Sequence, residues 1–120
     1  MSTVAVLGAS DNPERISYQA VSRLLEHGHA VFPVSPKGGV VLGQSVLPNL
    51  AAIPEPVDTV TLYVGPQHQA ALLDDIVALH PRRVIFNPGT ENPQAYALLG
   101  QNGIAVEEAC TLVLLSTRQF

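Results

Sequence analysis

The residues best suited to chemistry lie in the first third of the chain, and their chemistry is anion binding rather than bond making. The apolar run Thr3-Val-Ala-Val-Leu7 ends at Gly8, followed by Ala9-Ser10-Asp11-Asn12-Pro13-Glu14-Arg15-Ile16-Ser17. Gly8 allows close backbone approach to a phosphate, Ala9 continues the turn, and Ser10 offers a hydroxyl. Arg15 has the planar fork that pairs bidentately with phosphate oxygens. Ser17 stands at the start of a helix, where capping competes with ligand binding. Asp11 would repel a phosphate and is expected to point away. For Arg15 the competing reading is a surface ion pair with Glu14 or Asp11.

A glycine-rich dinucleotide turn read from Gly8 would carry glycines at its third and sixth places. Ser10 and Pro13 stand there instead. A dinucleotide site also places an acid about 20 residues on, to bind a ribose hydroxyl. No carboxylate lies between Ala30 and Val46, and the segment after Val34 reads Ser35-Pro36-Lys37-Gly38-Gly39. A lysine there suits a ribose carrying an extra phosphate, as in NADP or the 3′-phospho-ADP half of coenzyme A (CoA). The competing reading of Lys37 is a solvated turn lysine.

These residues need a scaffold, and the pattern around them supplies one. A strand at Thr3–Leu7 leads into a helix capped by Ser17 and running to about His27, with Ile16, Ala20, Val21, Leu24 and Leu25 on its buried side. Gly28 stops it, and Ala30–Val34 forms a second strand, giving a βαβ unit and hence a parallel sheet. Residues 35 to 58 are rich in proline and glycine. They are read as a compact excursion, with a short edge strand at Val40-Val41-Leu42 and a single helical turn capped by Asn49. From Asp58 the alternation resumes. Thr59–Val64 is a strand, and Gly65-Pro66 opens a helix with Ala70, Leu73, Ile76, Val77 and His80 on one face. Val84–Phe86 is a buried strand, Asn92 caps and Pro93 begins a helix to about Gln101, and Ile104–Val106 is a final strand. Thr111–Leu115 is a short helix packed back on the sheet. The expected fold is α/β, a doubly wound Rossmann-like domain with a mostly parallel sheet of about five strands and helices on both faces, spanning residues 1–120 as one domain.

In such a sheet the ligand lies at the carboxyl ends of the strands, near the point where strand order reverses. Tyr63 and Asn87-Pro88-Gly89 join the first-third residues there. Tyr63 is read as a core residue or a stacking surface for an adenine, and Asn87-Pro88-Gly89 as a ligand contact or simple turn chemistry. Cys110 follows Glu107-Glu108, whose charge disfavours a thiolate, so a structural cysteine is the default reading, with a mixed disulfide to the CoA thiol as its alternative. His68 has no adjacent base. No serine–histidine–aspartate set or paired carboxylates can be assembled, so no catalytic residue is named.

Composition narrows the partners. Among 120 residues, 47% are hydrophobic and 13% charged, which describes a packed domain rather than a disordered chain. A formal net charge of −4 argues against nucleic acid and anionic membrane surfaces as partners. Thr3–Leu7 is too short for a signal peptide or a membrane span. One cysteine excludes an internal disulfide and fits a cytoplasmic protein. The histidines and the cysteine show no metal-site spacing.

Taken together, Gly8-Ala-Ser10, Asn12-Pro13-x-Arg15-x-Ser17, Pro33-Val34-Ser35-Pro36-Lys37, Leu42-Gly43, Ile53-Pro54-x-Pro56-Val57-Asp58, Asn87-Pro88-Gly89 and the Cys110 region resemble the small stand-alone CoA-binding domain family. That family shares its Rossmann-type domain with the succinyl-CoA synthetase alpha subunit. The resemblance runs over essentially the whole chain; Ser35 departs from it where many relatives have Asn. It implies CoA or acyl-CoA as ligand, held by Gly8, Ala9, Ser10, Arg15, Ser17, Ser35, Pro36, Lys37, Tyr63, Asn87, Pro88 and Gly89, with NADP as the alternative. In the related synthetases phosphoryl transfer relies on a phosphorylated histidine in a following domain. A non-catalytic carrier or regulatory module is therefore expected, working as a homodimer or beside a separate enzyme subunit.

Overall fold

The computed structural model describes all residues, 1–120. Strand β1 (Thr3–Leu7) is followed by helix α1 (Ile16–Glu26) and strand β2 (Ala30–Val34). A two-strand hairpin, β3 (Val40–Val41) and β4 (Gln44–Ser45), and a helical turn at Leu50–Ala52 precede β5 (Thr59–Leu62). A second turn at Pro66–His68 leads into α2 (Ala70–Leu79), then β6 (Arg83–Phe86), α3 (Pro93–Gln101), β7 (Ala105–Glu108) and α4 (Thr111–Ser116). No helix is long and apolar enough to cross a membrane.

The main sheet has the order β2-β1-β5-β6-β7, and every pairing in it is parallel. The chain winds outward from β1 to β2, then returns to the other side of β1 to lay down β5, β6 and β7. Strand order thus reverses between β1 and β5, and the carboxyl ends there splay into a crevice. Side chains of β1 alternate between two cores, as the pleat requires. Ala5 and Leu7 join Ile76 of α2 and Ala95 and Leu99 of α3 on one face. Val4 and Val6 join Val21 and Leu24 of α1 and Leu115 of α4 on the other. Both faces are covered, so this is the doubly wound arrangement expected.

Several local expectations shift. The N-cap of α1 is Arg15, and no side chain caps the helix; Ser17 is instead buried in the first turn. Ile16 stands 57% exposed rather than on the buried stripe, because at the first helical position it faces the mouth of the crevice. Val40-Val41 does not extend the main sheet. It pairs antiparallel with Gln44–Ser45 through a two-residue turn, Leu42-Gly43, in which both residues have positive φ. Pro66 opens only a single turn before α2 begins at Ala70. On α2 the packed residues are Leu72, Leu73, Ile76, Val77 and Leu79, whereas Ala70 and His80 are exposed. The Asn49 cap forms as expected, its side chain accepting from the Ala52 amide at 3.1 Å, whereas the Asn92 side chain caps no amide of α3 because it donates to Gln69 Oε1 instead.

Candidate functional site

The turn after β1 is shaped by its neighbour β5. Gly8 has φ +91°, and a Cβ built there would lie 2.9 Å from Val64 Cγ2 and 3.2 Å from the Tyr63 carbonyl carbon and oxygen. Only glycine combines that conformation with so close an approach. The amides of Gly8 and Ala9 both donate to the Val34 carbonyl, at 3.0 and 3.1 Å. Those amides are therefore consumed by the end of the sheet, and Ala9 packs its side chain into the α1-side core. The next residues brace one another: Asn12 N donates to Ser10 Oγ at 3.1 Å and Glu14 N to Asn12 Oδ1 at 3.0 Å. The Arg15 amide closes the turn on Asn12 O at 3.0 Å.

Ser10 and Asp11 keep backbone amides that donate to no group in the protein, as do the opening amides of α1. An uncapped helix start carries partial positive charge and orphan donors. Ser17, only 5% exposed, lies on the wall of the same crevice.

That crevice has a volume of about 800 Å³ and is lined from Gly8 to Asp11 and from Glu14 to Ser17, by Ser35 and Lys37 to Gly39, and by Val46, Tyr63 and Pro88. It brings together two cations, Arg15 and Lys37, and neither makes an ion pair. The two ion pairs in the chain are Arg82–Asp58 and Arg83–Glu107, both at 2.8 Å. The alternative pairing of Arg15 with Asp11 or Glu14 does not form. Asp11 and Glu14 are also among the residues that line the crevice. Lys37 rides on a turn braced by Ser35, whose hydroxyl accepts from the Lys37 amide at 3.3 Å. Gly38 and Gly39 follow with φ +66° and +100°.

The remaining expected residues separate into three groups. Tyr63 and Pro88 reach the crevice. The Tyr63 hydroxyl is enclosed without a hydrogen-bond partner, and burial pushes the phenol above its ordinary pKa of 10.0, an effect softened by the nearby Thr61 and Thr111 hydroxyls. Pro36 instead lines a smaller adjoining slot. Asn87 and Gly89 lie off the crevice lining. Asn87 is 2% exposed, and its amide donates to Thr61 Oγ1 (2.8 Å) and Leu62 O (2.9 Å) while accepting from Thr111 N (2.9 Å). It is a brace that ties the start of α4 to β5. The exposed Gly89 donates its amide to Glu91 Oε1 at 2.8 Å. Cys110 is half-buried at the N-cap of α4 and His68 is exposed; neither lines the crevice.

Sequence reasoning missed other contributors. Val46 enters the crevice from the hairpin, which only tertiary packing places there. Gln69 is fully buried, donating to Val64 O (2.8 Å) and Thr90 O (2.7 Å) and accepting from Asn92 Nδ2 (3.0 Å). It knits together the loops after β5 and β6, a role invisible in a polar residue beside a helix start. Gly38 and Gly39 had a legible signal in their adjacency to Lys37.

Residues 2–116 match the protein family described as CoA binding domain. A crystal structure of an uncharacterized protein superposes with a TM-score of 0.95 at 46% identity, covering 100% of this chain and 98% of its own. Uncharacterized protein YneT of Bacillus subtilis (strain 168) is 25% identical over 103 residues, which is 86% of this chain and 76% of YneT. The same fold recurs in the dinucleotide-forming acetyl-coenzyme A synthetase 1 of Ca. Korarchaeum cryptofilum, solved with phosphate and ADP, with a TM-score of 0.79 and 23% identity. That likeness spans 90% of this chain but 25% of the larger protein. The NADP alternative gains no support from these relatives. With the family matched over nearly its whole length, the chain belongs to the CoA-binding domain family.

Proposed function

We propose that the crevice binds CoA or acyl-CoA through its phospho-ADP moiety, and that the protein is a non-catalytic carrier or regulatory module. The carrying observation is that the uncapped start of α1, the free amides of Ser10 and Asp11, and two unpaired cations share one crevice. Orphan amides at a helix N-terminus suit a pyrophosphate, with Ser10, Arg15 and Ser17 beside them. Lys37, on its separate turn, suits the ribose phosphate, and Tyr63 and Pro88 supply apolar surface to the lining. CoA would bring the thiol, and no residue of the crevice is assigned a part in breaking or making a bond. Cys110 without an internal partner fits a reducing compartment, and we assign the protein to the cytoplasm. A partner, whether a second copy or a separate enzyme subunit, is sought by pull-down from native cells.

Isothermal titration with CoA, dephospho-CoA and NADP tests the reading. CoA is expected to bind most tightly and dephospho-CoA more weakly. Absence of CoA binding sinks the proposal, and tighter binding of NADP than of CoA reassigns the crevice. Equal affinity for CoA and dephospho-CoA removes the role given to Lys37.

A further inference from the structure

The pairing of β5 with β6 ends at Leu62 and Phe86. Tyr63 and Pro88 lie beyond that pair, and both line the crevice. No backbone hydrogen bond joins them. The Tyr63 amide donates to Leu7 O of β1 at 2.8 Å, and a proline has no amide to offer. Two buried side-chain amides take over where the ladder stops. Asn87 Nδ2 donates to Leu62 O, just before Tyr63, at 2.9 Å. The Asn87 carbonyl accepts from Thr90 N (3.0 Å) and Thr90 Oγ1 (2.7 Å), closing the turn that carries Pro88. Gln69 Nε2 donates to Val64 O, just after Tyr63, at 2.8 Å and to Thr90 O at 2.7 Å. Tyr63 and Pro88 are thus each bracketed by ties to these two residues. Asn87 is 2% and Gln69 0% exposed, and neither lines the crevice. Their side-chain oxygens are engaged too, by Thr111 N and Asn92 Nδ2. Neither amide has a group to spare for a ligand.

We propose that Asn87 and Gln69 are positioning residues for ligand binding, setting the spacing of Tyr63 and Pro88 and with it the fit of the crevice. The inference rests on the CoA reading above. Arg15 and Lys37 act by charge and tolerate small displacements, whereas apolar contact is lost over a gap of 0.5–1 Å. A binding surface is only as precise as the residues that lock it from behind. These two amides act on the ligand through Tyr63 and Pro88, and independently of Lys37.

The test is calorimetric titration of the full chain with CoA. Asn87→Asp keeps the acceptor for Thr111 and loses both donors, and Gln69→Met keeps the length and loses its donors. Each is expected to weaken CoA binding about tenfold, within the coupling range of residues in contact. Two double-mutant cycles decide the matter. On a Pro88→Ala background, itself weaker for CoA, the further loss from Asn87→Asp should shrink to about twofold or less, because a residue it acts through is gone. On a Lys37→Ala background the loss should persist in full. A residue that merely stabilises the fold adds the same loss to both backgrounds, and that result overturns this inference alone. Unchanged CoA affinity in folded Asn87→Asp and Gln69→Met proteins does the same. Thr61→Val, which removes one acceptor of Asn87 and leaves its Leu62 and Thr111 bonds, carries the same cycles if circular dichroism shows either variant unfolded. Absence of CoA binding by the wild type overturns the CoA reading and this inference together.

Discussion

At the scale of single residues, the crevice depends on backbone availability as much as on side chains. Lys37 makes the sharpest case, being exposed, unpaired and followed by two glycines in the left-handed region. A charge-assisted contact contributes about 1.5–3 kcal/mol. Lys37→Glu should therefore weaken CoA binding by roughly tenfold or more, and dephospho-CoA binding much less, as read by titration. Rising salt should narrow the difference between the two ligands, because screening acts on exposed charge. The folding midpoint in urea should stay unchanged, since a turn lysine has little packing to lose. Equal losses for both ligands would remove Lys37 from the ribose phosphate. Gly8 is the opposite kind of residue, required by the fold before any ligand arrives. Gly8→Ala adds left-handed strain and pushes a methyl against Val64 and the Tyr63 backbone, a cost of about 2–5 kcal/mol. Urea denaturation would show it as a lower midpoint even without ligand; an unchanged midpoint contradicts the close-packed turn.

At the scale of elements, the hairpin β3–β4 is the least predictable piece and carries Val46 to the crevice wall. Its turn needs two residues at positive φ, which Gly43 adopts freely and Leu42, at φ 49°, adopts under strain. Asparagine tolerates that region better than a bulky side chain. Leu42→Asn should accordingly stabilise the protein by roughly 0.5–1 kcal/mol, measured by thermal or urea unfolding. Destabilisation would mean that the partly exposed leucine contributes more through packing than its backbone costs. α1 shows the reverse economy. Its first turn lacks a capping side chain and an acidic residue. A capped start would be more stable but would occupy the amides that the crevice presents.

At the scale of the whole molecule, function and structural tethering lie at opposite ends of the sheet. The strand carboxyl ends form the crevice. At the amino ends, Arg83 is buried between Thr59 (3.0 Å) and Glu107 (2.8 Å) and lies 4.5 Å over the Phe120 ring. His29 meets the same ring, centroid to centroid, at 5.0 Å, and its Nδ1 accepts from the Ser2 amide at 2.9 Å. Burial, and then the N-terminal ammonium, lowers the His29 pKa below its ordinary 6.5. The folded protein thus binds fewer protons than the unfolded chain in the window between those two values. Stability from this group is complete above about pH 6.5 and falls as pH drops through the window. Asp58, lowered first by its Arg82 hydrogen bond, acts in the same direction but only below its ordinary 3.8. Urea midpoints measured from pH 7 to pH 5 should decline, and His29→Gln, which keeps a hydrogen-bond acceptor, should flatten that slope. An identical slope in the variant would remove His29 from the effect.

The amino-acid sequence by itself determined the alternation of strands and helices, the parallel doubly wound sheet, and the two segments that meet at its switch point. Apolar periodicity and turn residues act over a few positions, so Gly28, Asn49 and Pro93 punctuate the chain where they were read to do so. It also marked Arg15 and Lys37 as the cations of the crevice. Tertiary structure alone decided which groups remain free there. Val34 O takes the Gly8 and Ala9 amides because β1 and β2 run side by side in one register, which passes the free donors on to Ser10, Asp11 and the start of α1. Asn87 looked like a turn or a ligand contact, yet its amide is spent on Thr61, Leu62 and Thr111, residues about 25 positions away. A residue's type sets which hydrogen bonds it can make. Which of them the fold has already used depends on partners brought close only when the sheet closes, and that is why the crevice's free donors could not be read along the chain.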